Sequence, residues 1–506
     1  MSLMSKTLTF LHLRSIFIIA LGALSVWGFA PYYLFPLSIL SVAGLFYFWL
    51  KSNTTHQVAQ IGFLYGLGLF GVGFYWIYIS LHYYGGMPMV IAGILTFLLA
   101  AFMASILAIA GVLSLRLARS HKSTLIIAMP VLLALSDWVR SWIFTGFPWM
   151  TLGYSQLPYS PLAGYMPIVG VYGVSFITAL IASIIAFWLV EKPTSILWRR
   201  NSIAAIVLTF VAGSLLHWVE WTTPTGKPIS VSLLQGNIPQ DLKWDLDIAE
   251  HTLNKYLNMA EQSHAQLIVM PETALPVLSN ELPQKLKTRL HHHASKNKGG
   301  VLVGVVERED GHYFNSVISF DGTTSMSYRK SHLVPFGEFI PLKAALGWVY
   351  RDLLNMPLSD LSRGSKTQQP MSIAGEKIAV NICYEDVFGE EIIRQLPTAT
   401  LLVNATNDAW YGDSFAADQH LQFSQARALE TGRMMLRATN TGATAIIDTK
   451  GYVLANAPHF TEIILNGSAQ GYTGSTPYVS WGNWPFILLS FALLIVLWWR
   501  NRATNT

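Results

Sequence analysis

A stretch of 36 residues between Arg14 and Lys51 contains no Asp, Glu, Lys or Arg. A transmembrane helix needs about 20 apolar residues, so this stretch is too long for one span. Pro31 and Pro36 divide it into a predicted helical hairpin, and a second uncharged stretch runs from Lys51 to Arg116. Charged residues make up only 12% of the chain, against roughly one quarter in soluble globular proteins. The chain is therefore predicted to be a membrane protein.

The apolar segments predict eight transmembrane helices. Two form the hairpin, and the other six lie at 58–81, 88–115, 124–143, 167–190, 202–219 and 484–499. With eight helices, the Lys and Arg residues of the short connections all fall on one side of the membrane. Positive charge accumulates on the cytoplasmic side, so both termini are expected in the cytoplasm and residues 220–483 on the opposite face.

Residues 220–475 have the composition of a soluble domain and are long enough for one substantial core. Runs rich in Val, Ile and Leu predict β-strands at 229–235, 265–270, 300–306, 315–320, 377–382, 400–406 and 443–448. Between several of them, apolar residues recur at helical spacing, as at 247–262 and 418–437. Strands that alternate with helices predict an α/β domain.

The predicted domain organisation has three parts. A seven-helix transmembrane domain covers 1–219, the α/β domain covers 220–475, and a last transmembrane helix with a cytoplasmic tail covers 476–506. The first apolar segment continues into the second without a clear small-residue cleavage site, which favours an uncleaved helix over a signal peptide.

Polar residues able to support covalent catalysis follow several predicted strands. Glu272, Cys383 and the pair Asn407 and Asp408 come directly after strands, and Lys330 follows a further extended run. In α/β folds, active sites collect at the carboxyl ends of strands. Because Cys383 is the only cysteine, it cannot form an internal disulfide and is either an inert buried side chain or a reactive thiol.

These side chains together permit acyl transfer through a thioester. A cysteine attacks as thiolate and needs a base, which Glu272 could provide. Lys330 could stabilise the charge on a carbonyl oxygen under attack. Taken singly, each residue has a plainer interpretation: a buried structural thiol, a carboxylate that caps a helix, or a solvated basic patch.

Four motifs in the α/β region resemble the nitrilase superfamily. They are PETALP (271–276), YRKSHLVPFGEFIP (328–341), NICYED (381–386) and NDAWYGDS (407–414). More narrowly, the chain resembles the apolipoprotein N-acyltransferase family of bacterial inner-membrane enzymes. That likeness rests on the eight predicted spans and on TGFPWMTLGY (145–154), QGNIPQDLKW (235–244) and RALETGRMMLRATNTG (427–442).

The resemblance implies a fold and a set of site residues. The expected fold is a bundle of eight transmembrane helices joined to a periplasmic nitrilase-like catalytic domain, an α-β-β-α sandwich. The implied catalytic roles are general base and acid for Glu272, stabiliser of the tetrahedral intermediate for Lys330 and nucleophile for Cys383. Further implied residues are the second carboxylate Glu338, the supporting pair Tyr384 and Glu385, and the substrate-contacting Trp244. Asp137 departs from the family pattern, in which a glutamate is expected.

The implied reaction completes lipoprotein maturation. An acyl chain passes from the sn-1 position of a phospholipid to Cys383, and then to the N-terminal α-amine of an S-diacylglyceryl-cysteine apolipoprotein. The expected partners are therefore phospholipid, apolipoprotein and the membrane, with no cofactor, metal or nucleic acid and with a monomeric enzyme. The consecutive histidines His291–His293 point in different directions on a helix, which favours a solvated face over a metal site.

Two apolar segments are candidates for a lid or a lipid-entry route. One is 335–360 and the other is the loop around Trp410 and Tyr411. A lid would keep out water, which hydrolyses a thioester. The apolar residues of the first segment are Phe336, Phe339, Ile340, Leu342, Leu346, Trp348, Val349, Tyr350, Leu353, Leu354 and Met356.

Two other functions fit parts of the pattern. A membrane-tethered nitrilase-type amidase would use the same three catalytic groups, although one span would suffice to anchor it. A transporter or receptor with a degenerate nitrilase domain would not need those groups intact, and its spans often carry charge. The pair Asp137 and Arg140, three residues apart at the end of a span, is interpreted as an ion pair, with a lipid-headgroup contact as the alternative.

Overall fold

The computed structural model describes residues 3–118, 122–192, 195–241, 243, 246–321, 325–339 and 360–503. The chain forms two compact units. The first comprises Met1–Tyr78, Val90–Val219 and Trp481–Thr506, and the second comprises Ile79–Met89 and Glu220–Ser480. The short segment Ile79–Met89, which includes the end of the predicted span 58–81 and the start of the predicted span 88–115, therefore belongs with the second unit.

The first unit is built of helices, and each apolar segment predicted from the sequence contains one. They are α1 (Leu3–Ser25), α2 (Phe35–Leu50), α3 (Thr55–Gly73), α4 (Met89–Leu117), α5 (Leu125–Arg140), α6 (Met166–Glu191), α7 (Ile196–Leu216) and the C-terminal helix Trp484–Ala503. Large apolar side chains are exposed along several of them, as at Val207 and Leu208 of α7. Such exposure is expected of helices that face lipid rather than water.

Length and hydropathy distinguish the helices that could cross a membrane from shorter apolar ones. Among the described residues, three helices are long and apolar enough to cross a membrane: Met89–Leu117, Pro161–Glu191 and Ile196–His217. A fourth is added if the bent pair Thr55–Gly73 and Trp76–Tyr84 is one span. The apolar helices His12–Gly28, Phe35–Leu50 and Trp484–Arg500 are shorter. The sequence thus located the helices correctly. Of the eight predicted spans, three to four are long and apolar enough, among the described residues, to cross a membrane.

Glycines allow α1 and α3 to pack closely. A Cβ added to Gly22 would lie 2.0 Å from the carbonyl oxygen of Tyr65, and one added to Gly68 would lie 1.9 Å from that of Ile19. Contact through small residues is typical of helix pairs in membranes, where the backbones approach each other closely.

Asp137 and Arg140 form a buried ion pair at the end of α5, as predicted. Arg140 Nη2 donates to Asp137 Oδ1 at 2.5 Å, and Arg140 Nη1 donates to the carbonyl oxygen of Trp149 at 2.6 Å. Asp137 Oδ2 accepts from the N–H of Leu152 and from the hydroxyl of Ser175, both at 3.0 Å. The shorter carboxylate therefore still pairs with the arginine, and both charges are satisfied.

The second unit contains two six-stranded sheets. The first has the order β12-β1-β2-β3-β4-β5, and its strands are β1 (Thr222–Gln235), β2 (Leu267–Val269), β3 (Gly300–Glu309), β4 (His312–Phe320), β5 (Ser327–Arg329) and β12 (Ile463–Gly474). The second has the order β11-β10-β9-β8-β7-β6, and its strands are β6 (Met371–Ile373), β7 (Glu376–Ile382), β8 (Leu401–Thr406), β9 (Met435–Thr439), β10 (Ala445–Ile447) and β11 (Val453–Asn456). In each sheet three central strands are parallel, β1-β2-β3 and β7-β8-β9.

Helices cover the outer faces of the two sheets. α8 (Leu246–Gln262) and α9 (Gln284–Lys296) pack on the first sheet, and α10 (Ala416–Thr431) packs on the second. Hydrogen bonds join the inner faces, as where Thr444 Oγ1 donates to Gln235 Oε1 at 2.7 Å. The α/β prediction is therefore confirmed, and the layers follow the order α-β-β-α.

The predicted helix at 418–437 is wrong in its last third. α10 ends at Thr431, Gly432 adopts φ +62°, and residues Met435–Thr439 form β9. The sequence after Gly432 has helical spacing, but its backbone pairs with β8, about 30 residues earlier in the chain, and with β10, which follows after a turn. This pairing decides for a strand. The short strand 327–329 lies in the extended run predicted before Lys330, whereas the short strands 371–373 and 453–456 and the long edge strand 463–474 were not predicted.

The histidine run on α9 is only partly solvated. His292 is exposed, whereas His293 is buried and its Nε2 lies 2.9 Å from Nδ2 of Asn297. The expectation of a solvated face is therefore wrong for His293, because this residue lies on the side of α9 that packs on the sheet. No group of three His, Cys, Asp or Glu side chains in the described ranges is arranged to hold a metal ion.

Candidate active site

Cys383 lies in a strained turn at the carboxyl end of β7. It opens the short 3₁₀ turn Cys383–Val387 and adopts φ +52°. A non-glycine residue in this left-handed region is uncommon, and such conformations persist where the surroundings hold them. The side chain is buried. The turn therefore places the only thiol of the chain at the edge of the second sheet, where active sites of α/β folds collect.

Glu272 and Lys330, which are buried, and Glu338, which is partly buried, form one charged group. Lys330 Nζ lies 3.3 Å from Glu272 Oε1 and 2.9 Å from Glu338 Oε1, and its side chain is 1% exposed. Asn315 Nδ2 donates to both carboxylates, at 2.6 Å to Glu272 and 2.8 Å to Glu338. Glu272, Lys330 and Glu338, all implied by the motifs, therefore lie together. Asn315 fixes the two acids relative to each other, because it is hydrogen-bonded to both.

The charges determine the protonation of Lys330 and Cys383. Burial by itself would lower the pKa of Lys330, but the carboxylates of Glu272 and Glu338 outweigh it and hold that pKa well above its usual value. Burial raises the pKa of Cys383, the negative charge of Glu272 raises it further, and Lys330 only partly opposes this. The resting site therefore contains an ammonium and a neutral thiol, so attack by sulfur requires a base.

A second lysine, not identified from the sequence, lies in the same site. Lys243 is buried, and its Nζ donates to the carbonyl oxygen of Glu272 at 3.1 Å. Burial lowers its pKa to about 8, while the charges of Glu272 and Cys383 oppose that shift. The only sequence signal was its place in QGNIPQDLKW, the motif from which Trp244 was selected. Trp244 lies outside the described residues.

Glu385 connects the loop after Lys330 to the turn of Cys383 through hydrogen bonds. Its carboxylate is buried and accepts five hydrogen bonds of 2.6–3.1 Å, from the backbone N–H groups of Ser331, His332 and Ile382 and from the hydroxyls of Ser331 and Tyr328. Tyr384 is also buried, with its ring 5.2 Å from that of Phe388 and 5.8 Å from that of His332. Both predicted support residues therefore lie buried in the turn that carries Cys383.

The candidate lid residues occupy two separate places. Trp410 is 37% exposed, and its ring lies 6.4 Å from that of Tyr84 in the segment Ile79–Met89 of the same unit. Burial and the charges of Cys383 and Asp408 raise the pKa of Tyr411. Phe336 is 50% exposed, and Phe339 lies under the guanidinium of Arg363 at 5.1 Å. Phe336 and Phe339 belong to the candidate segment 335–360, of which residues 340–359 lie outside the described residues.

Asn407 and Asp408 follow β8 as predicted, but they face other groups of the core. Asn407 Nδ2 donates to Gln240 Oε1 at 2.6 Å. Asp408 is paired with Arg437 at 2.9 Å and with His420 at 2.8 Å. Arg437 of β9 lies within the motif 427–442, but neither its pairing with Asp408 nor that of His420 on α10 was predicted.

Comparisons with known proteins cover both units. Residues 21–184 match the family model of the apolipoprotein N-acyltransferase N-terminal domain, and residues 230–478 match that of carbon-nitrogen hydrolase. A solved carbon-nitrogen hydrolase from Helicobacter pylori G27 is 18% identical and covers 48% of this chain and 89% of its own, with a TM-score of 0.34. At that score the likeness by itself does not establish the fold, which rests on the family-model match.

Full-length relatives are far more similar. A protein of Nitrosomonas europaea named apolipoprotein N-acyltransferase is 46% identical over 96% of this chain and 96% of its own length. Proteins of the same name from Chromobacterium violaceum and Methylococcus capsulatus are 42% and 39% identical, over 96% and 95% of this chain and 94% and 95% of theirs. With its apolar helices, the chain is a bacterial membrane protein, and it belongs to the apolipoprotein N-acyltransferase family.

Proposed function

We propose that this acyltransferase transfers the sn-1 acyl chain of a phospholipid to the N-terminal α-amine of an S-diacylglyceryl-cysteine apolipoprotein, through a thioester on Cys383. One observation carries the proposal: Lys330 is held between Glu272 and Glu338, and the charges of Glu272 and Lys330 both act on the buried thiol of Cys383. The family names of the relatives supply the acceptor.

In the first half-reaction the thiol attacks the ester carbonyl of the phospholipid. Glu272 takes the proton of Cys383 as the C–S bond forms, and Lys330 stabilises the negative charge on the tetrahedral intermediate. The ester C–O bond then breaks, and Glu272 returns the proton to the leaving oxygen of the lysophospholipid. The raised pKa of the buried thiol is the reason that the base must act at the moment of attack.

In the second half-reaction the α-amine of the apolipoprotein attacks the thioester carbonyl. Glu272 accepts the proton that the nitrogen loses, the C–S bond breaks, and the proton returns to the thiolate of Cys383. An ester and an amine become an alcohol and an amide, so the exchange needs neither a nucleotide nor a redox partner. Glu338 keeps Lys330 charged and in place while Glu272 is transiently neutral.

The site also has balanced charge. Two ammonium groups, Lys243 and Lys330, accompany two carboxylates, Glu272 and Glu338. The negative charge that develops on the carbonyl oxygen is therefore not repelled by a net negative site. This lowers the free energy of the transition state.

The membrane arrangement is part of the proposal. All eight apolar segments contain helices, and we propose that all eight cross the inner membrane, with both termini cytoplasmic and the catalytic domain at 220–475 periplasmic. The exposed Phe336 and Trp410 would meet lipid, Trp244 would contact substrate, and the apolar segment 335–360 would exclude water from the thioester. The enzyme would act as a monomer.

The test is an acyl-enzyme trapping experiment. Purified protein is incubated with phospholipid and analysed by intact mass, and an acyl adduct is expected on the wild type but not on Cys383→Ala. Adding a diacylglyceryl peptide with a free amine should remove the adduct and yield N-acylated peptide, whereas the same peptide with a blocked amine should not. An absent adduct, or an equal one on Cys383→Ala, contradicts the mechanism. Loss of the adduct to water alone, without acylated peptide, would instead favour the hydrolase alternative.

A further inference from the structure

A buried cluster of four charged side chains lies directly behind Cys383. It consists of Asp386, Asp408, His420 and Arg437, each at most 2% exposed. They come from four different elements: the turn after β7, the turn after β8, α10 and β9. The proposed chemistry uses none of them, although burying four charges is costly unless they are closely paired.

The ring of His420 lies between the two carboxylates. Its Nδ1 is 2.8 Å from Asp408 Oδ1, and its Nε2 is 2.9 Å from Asp386 Oδ1. Arg437 holds the far oxygens of the same acids, with Nη1 at 3.0 Å from Asp386 Oδ2 and Nη2 at 2.9 Å from Asp408 Oδ2. Ser424 Oγ also donates to Asp386 Oδ2. Both acids are therefore surrounded by donors, as expected of ionised carboxylates.

This geometry determines the protonation of the histidine. A neutral imidazole carries one N–H, so one of its nitrogens would present a lone pair to a carboxylate oxygen. Only the imidazolium donates on both sides. Burial and the charge of Arg437 lower the pKa of His420, but Asp386 and Asp408 outweigh them and raise it. With His420 protonated, two positive and two negative charges cancel within the cluster.

The cluster is hydrogen-bonded to the main chain of the nucleophile. The carbonyl oxygen of Cys383 accepts from Asn404 Nδ2 at 3.1 Å and lies 3.3 Å from His420 Nε2. Asn404 is itself held by Arg437 Nη1, which donates to its Oδ1 at 2.8 Å. Two donors, both fixed by the cluster, therefore hold the peptide group of a residue whose φ of +52° is unfavourable.

We propose that Asp386, His420, Asp408 and Arg437 are positioning residues that hold Cys383 in its left-handed conformation, and that they do so only while His420 is protonated. The proposal rests on the proposed function only for the role of Cys383 as nucleophile. Loss of the proton leaves a ring nitrogen facing a carboxylate and gives the cluster a net negative charge. When Nε2 loses the proton, the carbonyl oxygen of Cys383 loses a donor. When Nδ1 loses it, the ring nitrogen faces Asp408 without a hydrogen bond, and the ring is no longer held between the two acids. In either tautomer the thiol is less well placed for attack.

The test compares three variants with the wild type. His420→Gln can donate on one side only and has no charge at any pH. Asp386→Asn keeps the shape of the side chain but removes one of the two negative charges that favour protonation of His420. His293→Gln makes the same chemical change at another buried histidine of the same unit and is the matched control.

The main measurement is the single-turnover rate of acyl-adduct formation on Cys383 from phospholipid, between pH 5.5 and 9.5. His420→Gln should lower the maximal rate at least 10-fold with little change in the phospholipid concentration needed for half the maximal rate. In the Lys243→Arg background, where residue 243 keeps its charge over this pH range, Asp386→Asn should move the remaining alkaline fall in rate to lower pH, and His293→Gln should leave it unchanged. If Asp386→Asn leaves the profile unmoved, or His420→Gln reacts at the wild-type rate, the proposal is wrong.

A second measurement does not depend on acyl transfer. Modification of Cys383 by methyl methanethiosulfonate, followed by intact mass, has a single possible site because the chain has one cysteine. The rate at pH 7 should change at least several-fold in both cluster variants and stay at the wild-type value in His293→Gln. If the wild type forms no acyl adduct, the proposed function fails while this result still decides the role of the cluster. If His420→Gln does not fold, Asp386→Asn decides it.

Discussion

The ammonium nitrogen of Lys330 lies 2.9 Å from Oε1 of Glu338, with both side chains nearly excluded from solvent. The same nitrogen is 3.3 Å from Glu272, so two carboxylates share one cation. In the proposed mechanism Glu272 takes up a proton, and Glu338 remains as the partner that keeps Lys330 charged and in place. The two acids would then have different tasks: Glu272 moves protons, and Glu338 holds the cation.

Replacing Glu338 by Gln should slow catalysis without unfolding the protein. The amide keeps the shape but removes the charge that anchors Lys330. Loss of a hydrogen bond to a charged group is worth roughly 1.5–3 kcal/mol, so kcat should fall about 10- to 100-fold. The measurement is the rate of N-acylated peptide formation. Glu309→Gln, which weakens an exposed ion pair with Arg329, is the control and should stay near wild type. A wild-type kcat in Glu338→Gln would mean that Lys330 does not depend on Glu338.

Lys243 should contribute a charge that is lost in mildly alkaline solution. Its pKa is lowered to about 8, so the ammonium is present below that pH and absent above it. Thioester formation by the wild type should therefore decline as pH rises through about 8. Lys243→Met should be slower by about tenfold at pH 7, which corresponds to about 1.4 kcal/mol, and should lack that step.

Two further variants support the assignment to Lys243. Lys243→Arg keeps the charge at every pH, so it should retain activity and also lack the step near pH 8. Lys255 likewise donates to a backbone carbonyl, that of Gly236, and Lys255→Met is the matched control. An unchanged step near pH 8 in Lys243→Met would assign that ionisation to another group.

Asp408 should stabilise the fold at neutral pH and lose that effect in acid. Burial by itself would raise its pKa, but Arg437 and His420 outweigh it and lower the pKa from 3.8 to about 2. A carboxylate with a lowered pKa stabilises the folded state above its unfolded pKa, and the effect is lost as pH falls towards the folded value. At about 1.4 kcal/mol per pKa unit, the contribution is roughly 2 kcal/mol at pH 7.

The check is thermal melting of the detergent-solubilised protein between pH 3 and 7. Asp408→Asn should melt at a lower temperature than the wild type at pH 7, and the gap should narrow as the pH approaches 3. Asp413→Asn, at an exposed position in the same loop, should melt like the wild type. A gap that is as wide at pH 3 as at pH 7 would show that the charge of Asp408 is not its cause.

Gly432→Ala should destabilise the second unit for two separable reasons. Gly432 adopts φ +62°, and an added Cβ would lie 2.7 Å from Thr222 Cγ2. Gly311 has φ +80° with no atom within 4 Å of an added Cβ, so Gly311→Ala incurs the backbone strain alone. The strain costs roughly 1–2 kcal/mol. Gly432→Ala should therefore lower the melting temperature by more than Gly311→Ala does, and equal shifts would mean that Thr222 moves aside freely.

Much of the secondary structure was predictable because it is encoded locally. Uncharged apolar segments located the helices of the first unit, and runs such as 377–382 located central strands of the second. β9 was missed because its sequence has helical spacing, and its strand conformation comes from pairing with β8 and β10. Short edge strands such as Met371–Ile373 have no strong local pattern, since each is defined by its one neighbour.

The sequence by itself determined that the chain has apolar helices, an α/β region, and a glutamate, a lysine and a single cysteine in nitrilase-like motifs. These features depend on residues that are near one another in the chain. Only the tertiary structure decided that Lys330 is shared between two carboxylates, that Lys243 and Asn315 join the site, and that His420 lies between Asp386 and Asp408. Those contacts join residues from different strands and loops. Hydrogen-bond distances between them are set by strand register and turn geometry, which local sequence patterns do not specify.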